Sequence, residues 1–364
     1  MTLHPLHSHR ASPYEGIGRL RICLLVMATM VLSACASRQP SPAEPGVQTS
    51  SWTERQQAAL EAAQLLPDEG AYQSHYFSWV DQGRQRQVQA KLYLPHDATP
   101  TRPMPLVVFS HGIGGSREGY AYLGKNWAAQ GFASLHVQHA GSDNTLWSGS
   151  PLTLVARMQD AAQESEALNR VKDLRFALDV LLADGRFSDL LDRHRIVAAG
   201  HSYGANTVLL AAGAQVERDG SFVRLRDERI QAAIIISAPP FHGEQSPQRI
   251  VEAIGIPTLH ITATGDKIAI PGYTSTHEDR IRLFEQTGSR HKTLVVFRDG
   301  SHSMFTDRLH TGGSLLNPKV KAATLDLTLA FLQAETGEQP KAYLSWPERH
   351  RDLLARYTTT LTGP

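Results

Sequence analysis

The sequence predicts an α/β protein with a mostly parallel sheet of about eight strands and helices on both faces. Three observations carry this. Short continuous apolar runs recur at Leu106-Val107-Val108-Phe109, Ala133–Val137, Arg195–Ala199, Ala232–Ile236, Thr258–Ile261 and Thr293–Phe297, and such runs suit strands covered on both faces. Segments with helical apolar spacing lie between them, clearest at Val171, Leu174, Leu178, Leu181 and Leu182. Strand alternating with helix implies parallel pairing through crossovers. The third observation is two β-rich stretches at the front, Tyr76–Val80 and Val88–Leu94, separated by Asp81-Gln82-Gly83. They predict an antiparallel hairpin and hence a mixed sheet.

Composition narrows the function. The 364 residues are 41% hydrophobic and 20% charged, with a formal net charge of +1, ordinary for a globular chain. No overall field calls for nucleic acid. The two cysteines, Cys23 and Cys35, both lie near the N-terminus. A disulfide framework or a cysteine zinc site is therefore excluded beyond them.

At the N-terminus, Arg10, Arg19 and Arg21 precede an apolar run, Ile22–Leu32. At about eleven residues it suits a signal-peptide core and is too short to span a bilayer. It ends in Leu32-Ser33-Ala34-Cys35, which resembles the lipobox of bacterial lipoproteins. The resemblance implies cleavage before Cys35, acylation of that cysteine, and membrane attachment through it. With Ala36 and Ser37 following, an outer-membrane location in the bacterial envelope is expected. A plain secretory signal or an uncleaved anchor is the other reading. The expected organisation is a signal peptide over 1–34, a flexible Pro/Ser/Gln/Gly-rich tether over 35–53, and a folded domain over 54–364. A helix is expected from Trp52 through Leu66, and another in the tail from Trp346 to Tyr357.

The apolar strand ending at Ala199 runs into Gly200-His201-Ser202-Tyr203-Gly204, followed by the helix-like Ala205–Ala212. This strand, G-x-S-x-G, helix order describes a serine on a sharp turn at a strand's carboxyl end. Small residues two places either side are required because the backbones crowd there. The helix N-terminus favours a developing oxyanion. Ser202 is the candidate nucleophile.

An earlier strand leads into Ser110-His111-Gly112-Ile113-Gly114-Gly115-Ser116. A loop in that position supplies one backbone N–H to an oxyanion hole, and the residue after the nucleophile supplies the other. The candidates are Ile113 and Tyr203. His111 is expected to brace the loop. There is no phosphate-binding GK[ST] or GxGxxG pattern.

The serine needs a base, and the base an orienting carboxylate. Asp266 follows the strand Thr258–Ile261, and His302 follows the strand ending at Phe297. That gives the order Ser, Asp, His. Asp299 is the rival acid, expected instead to cap its loop. Asp279 falls inside the following helix, and His260 lies within a strand as an expected core residue.

These strings, with Val137-Gln138-His139-Ala140-Gly141-Ser142-Asp143 and Gly300-Ser301-His302, resemble the α/β-hydrolases. Nearest are the dienelactone-hydrolase-like and platelet-activating-factor acetylhydrolase-like groups, over roughly Tyr72 to Phe331. The resemblance implies a Ser-Asp-His ester hydrolase with no metal or organic cofactor, acting on a small-molecule or lipid ester. True dienelactone hydrolases carry cysteine at the elbow, so dienelactone is not the expected substrate.

Between Gly141 and Glu164 runs an excursion bearing Trp147, Leu152, Leu154 and Met158. Either it lines the substrate pocket, with Trp147 and Tyr203 as walls, or it packs its own apolar residues at the surface. Three other functions stay open: a non-catalytic envelope lipoprotein, a lipase- or phospholipase-like activity, and acyl transfer on the same triad.

Overall fold

The computed structural model describes residue 60 and residues 65–361, apart from 219–220, 242–246, 271–272, 309–310 and 338–339. The signal peptide, Cys35, the tether and nearly all of the helix expected from Trp52 lie outside the described residues.

The hairpin forms as β1 (Tyr72–Asp81) and β2 (Arg86–Pro95), with Tyr72 opposite Pro95 and Asp81 opposite Arg86. Then come β3 (Met104–Ser110), α1 (Ala121–Ala129) and β4 (Ala133–His139). Next are α2 (Leu154–Ala161), α3 (Glu164–Ala183), β5 (Leu191–His201) and α4 (Tyr203–Ala212). They are followed by β6 (Ile230–Ile236), β7 (Thr258–Ala263), α5 (His277–Gln286) and β8 (Lys292–Phe297). The last elements are α6 (Leu316–Glu335), α7 (Pro340–Arg349) and β9 (Leu354–Thr359). Among the described residues, nine strands make one sheet in the order β1-β2-β4-β3-β5-β6-β7-β8-β9. Neighbours from β4 to β8 pair in parallel, while the hairpin and β9 pair antiparallel.

Strand β3 shows why the apolar runs are continuous. Leu106 and Val108 face a core shared with Leu174 and Leu178 of α3 and Val208 of α4. Val107 and Phe109 face the opposite core, with Trp127 of α1 and Val320, Leu327 and Phe331 of α6. Both faces are covered, so no position in the strand is left for a solvated side chain. No helix among the described residues is long and apolar enough to cross a membrane.

The sheet has nine strands rather than about eight, and the difference lies in the tail. The helix expected over Trp346–Tyr357 stops at Arg349, and Leu354–Thr359 turns back as a strand. Trp346 is fully buried, its indole N–H donating to the Ala323 carbonyl at 3.1 Å. That pins α7 to α6. The Tyr- and Thr-rich stretch beyond has good strand propensity and meets the open backbone groups along β8, Val295 opposite Tyr357. An edge of that kind recruits a strand.

Sheet order also places the site. From β3 the chain goes to β4 on one side, while β5 lies on the other. Loops leaving β3 and β5 therefore diverge, opening a crevice at the carboxyl ends. Ser110 and Gly200 are register partners across this point, so the glycine loop and the G-x-S-x-G turn stand side by side.

Candidate active site

Ser202 occupies the turn between β5 and α4 with φ 56° and ψ −125°, backbone that a residue with a side chain rarely adopts. Strain of this kind costs on the order of 1–3 kcal/mol and persists only where the surroundings impose it. Here they do. A Cβ on Gly200 would run into the Gly204 carbonyl, and one on Gly204 into the Ser110 carbonyl. The Ser202 N–H donates to the Ile236 carbonyl at 2.9 Å.

Strands β7 and β8 pair in register, with Ala263 opposite Phe297, so the turns after them meet. Asp266 lies three residues beyond the first strand end and His302 five beyond the second. His302 Nδ1 stands 2.8 Å from Asp266 Oδ1, and Nε2 stands 2.8 Å from Ser202 Oγ. A carboxylate only accepts, so Nδ1 carries the proton and donates to Asp266. Nε2 is then free to accept from the serine hydroxyl. The structure thus brings all three candidates into one hydrogen-bonded chain.

Asp266 is 1% exposed. Burial alone would push its carboxyl up, but the hydrogen bond and charge of His302, then the charge of Arg280, outweigh it and hold the group well below the usual carboxylate range. Oδ2 accepts from Thr262 Oγ1 at 2.7 Å, and Arg280 Nε lies 3.3 Å from the same oxygen. Its rivals sit elsewhere. Asp299 is exposed at a positive-φ turn, its N–H donating to Thr264 Oγ1 at 2.8 Å. Asp279 closes a capping box with Thr276 at the start of α5. His260 is buried in β7 beside Phe284.

On the loop after β3, a Cβ at Gly112 would meet the Ser202 Cβ at 3.3 Å. The loop backbone therefore passes directly over the serine. The N–H groups of Ile113 and Tyr203 donate to no other group among the described residues' hydrogen bonds. His111 braces the loop: its Nδ1–H donates to the Gly112 carbonyl at 2.7 Å and Nε2 accepts from the His139 N–H at 3.1 Å.

The excursion after β4 is built of short helices, including Asn144–Trp147 and α2. Trp147 is half-exposed and lies on the loop after β3, its indole N–H donating to the Gly114 carbonyl at 2.7 Å. A Cβ on Gly114 would penetrate the indole ring. Leu152 is 94% exposed, away from any core. The Tyr203 hydroxyl reaches back to the Gln163 carbonyl at 3.5 Å.

Sequence reasoning missed several supporting groups: His201, Tyr120, Arg280 and Arg170. For Arg170 a signal existed. It falls four residues before Leu174, on the apolar face of α3, where a lone arginine must be buried and therefore satisfied. His201 and Tyr120 gave none, being 81 residues apart in a hydrogen bond of 2.8 Å.

The sheet order, the strained serine at the carboxyl end of β5 and the turns after β7 and β8 make this an α/β-hydrolase fold. A family model described as platelet-activating factor acetylhydrolase, isoform II, matches residues 86–149, which hold β2 to β4 and the loop with Ile113. The chain is similar to platelet-activating factor acetylhydrolase of Canis lupus familiaris, 31% identical over 29% of this chain and 31% of that one. It is also similar to the protein of the same name from Cavia porcellus, 24% identical over 64% of this chain and 58% of that one. The chain thus spans less than two thirds of the length of these curated relatives. Among solved structures, a ferulic acid esterase from Streptomyces cinnamoneus superposes with a TM-score of 0.54 at 22% identity, covering 76% of this chain and 93% of that one. That likeness bears on the fold.

Proposed function

We propose that this chain is a serine hydrolase that cleaves carboxylic esters through an acyl-enzyme. The observation that carries it is the chain of two 2.8 Å hydrogen bonds from Asp266 through His302 to Ser202, ending on a serine held in strained backbone. His302 Nε2 takes the hydroxyl proton as Oγ attacks the ester carbonyl. Asp266, ionised at neutral pH, holds the imidazole in the required tautomer and stabilises the imidazolium. The Ile113 and Tyr203 N–H groups receive the oxyanion. His302 then protonates the departing alcohol, and water repeats the sequence to release the acid. The likeness to two proteins named acetylhydrolases supports the ester reading, and a small-molecule or lipid ester is the proposed substrate class. We extend the proposal to acylation of Cys35, which would tether the domain in the bacterial envelope. A Cys35→Ser variant that stayed entirely in the membrane fraction would refute that part.

The test of the enzyme reading uses the purified full-length chain and its Ser202→Ala variant. Both are exposed to a fluorophosphonate probe and to nitrophenyl esters of increasing acyl length. Labelling and turnover confined to the wild type support the proposal, and the acyl profile separates an esterase from a lipase. A folded wild type that neither labels nor hydrolyses any ester overturns it.

A further inference from the structure

We propose that Arg170 is a positioning residue for the oxyanion hole, clamping both of its halves from beneath; this rests on the serine-hydrolase reading above. Arg170 projects from α3 and is fully buried. Its Nε donates to Thr207 Oγ1 at 3.0 Å and one terminal nitrogen donates to Ser142 Oγ at 2.8 Å. The other donates to Ser110 Oγ at 3.2 Å and to the His111 carbonyl. The guanidinium carbon lies 4.7 Å from the centroid of the Tyr203 ring.

Each hydroxyl around the guanidinium has its own proton committed elsewhere. Ser142 donates to Glu166 at 2.8 Å, and Thr207 donates to the Tyr203 carbonyl at 3.1 Å. His139 Nδ1 faces Asp173 Oδ2 at 3.2 Å and so carries the proton; its Nε2 accepts from the Ser110 hydroxyl at 2.9 Å. All three hydroxyls therefore turn lone pairs toward Arg170. No carboxylate among the described residues comes within ion-pair distance of it. Glu166 and Asp173, on the same helix, pair with Arg86 at 3.0 and 2.9 Å.

A buried cation held only by neutral oxygens is costly. Burial lowers its pKa to about 10, which still leaves it charged at neutral pH. The charge has a specific address. The His111 carbonyl leads through Gly112 to Ile113. Tyr203 is gripped twice, by its ring and, through Thr207, by its carbonyl. The two residues whose N–H groups must converge on one oxyanion are thus tied to a single rigid fork. Such donors help catalysis only when fixed beforehand, and a positive charge beneath them acts in the same direction.

The experiment compares full-length wild type with Arg170→Lys, Arg170→Gln and Thr207→Val. It measures kcat and KM on a nitrophenyl ester, and inhibition by a boronic acid that forms an anionic tetrahedral adduct on the serine. Circular dichroism verifies folding. The expected result for both Arg170 variants is kcat lower by roughly 10- to 100-fold with KM within about twofold, the boronate inhibition constant rising by the same factor as kcat falls. Thr207→Val shows a smaller loss of the same kind. Folded variants with wild-type kcat and boronate affinity, or with the loss confined to KM, overturn the inference. If the Arg170 variants do not fold, the Thr207→Val split decides it. A wild type inert to fluorophosphonate and esters overturns the hydrolase reading and this inference with it. An active wild type beside indifferent variants refutes the clamp alone.

Discussion

His201 Nε2 lies 2.9 Å from the backbone carbonyl oxygen of His302. A carbonyl only accepts, so Nε2 carries the proton, and Nδ1 accepts from the Tyr120 hydroxyl at 2.8 Å. Burial, then the charge of His302, lowers the pKa of His201 to about 3, so the ring is neutral at neutral pH. The residue beside the proposed nucleophile thereby positions the backbone of the proposed base. Tyr120→Phe is expected to lower kcat several-fold and His201→Phe by roughly 10- to 100-fold, both with KM little changed. Steady-state kinetics on a short-chain ester checks this, and equal losses in KM would contradict it.

Replacing Asp266 by Asn keeps the shape but lets the side-chain amide donate toward Nδ1, which stabilises the wrong imidazole tautomer. The expected fall in kcat is roughly 10³- to 10⁴-fold, with circular dichroism unchanged. A variant retaining full turnover would remove Asp266 from the mechanism.

Five buried histidines among the described residues set an acid limit on stability. Burial lowers His136, His201 and His260 to about 3 and His139 to about 4, and puts His111 well below its ordinary value. In the unfolded chain each takes up a proton near 6.5, whereas in the native state it does so only far lower. The unfolded state thus binds more protons in between. Stability is fully present above about pH 6.5 and is lost as pH falls, by up to about 1.4 kcal/mol per pH unit for each histidine. The carboxyls of Glu166, Asp307 and Glu335, raised by burial, oppose this but are fewer. Urea midpoints are expected to be flat from pH 7 to 8 and to drop steeply from 6.5 to 5, with His260→Gln shallowing the slope. A midpoint equal at pH 7.5 and 5.5 would contradict it.

Trp147 closes over Gly114 at the edge of the proposed oxyanion loop. Trp147→Ala removes both a hydrogen bond to that loop and an apolar wall. Activity on nitrophenyl esters is expected to fall by roughly three- to tenfold and the acyl-length preference to broaden. An unchanged profile across acyl lengths would exclude Trp147 from the substrate site.

Deleting residues 354–364 leaves β8 as an unprotected parallel edge. The site residues lie on neighbouring turns, so the first effect expected is self-association, visible by light scattering, before activity is lost. A monomeric truncated chain of wild-type melting temperature would show that β9 is dispensable.

Much of the fold was legible because its signals are local. An apolar run of strand length, the spacing of Leu174, Leu178 and Leu181, and glycines two places either side of a serine are all written within a few neighbouring residues. From them follow the alternation of strands and helices and the positions of Ser202, Asp266 and His302 at strand ends. The strand in the tail was not legible, because Leu354–Thr359 becomes one only where the open edge of β8 offers partners. Nor were the distances in the site. Asp266 and His302 are 36 residues apart, and His302 and Ser202 are 100 apart. Their meeting depends on β5 to β8 pairing in register. Residue type and spacing by themselves determined which groups stand at the ends of the strands. Which of those groups touch, and that a buried Arg170 grips the loop above the serine, was decided by tertiary structure, since a hydrogen bond depends on position in space and the chain brings such residues together only once the sheet has closed.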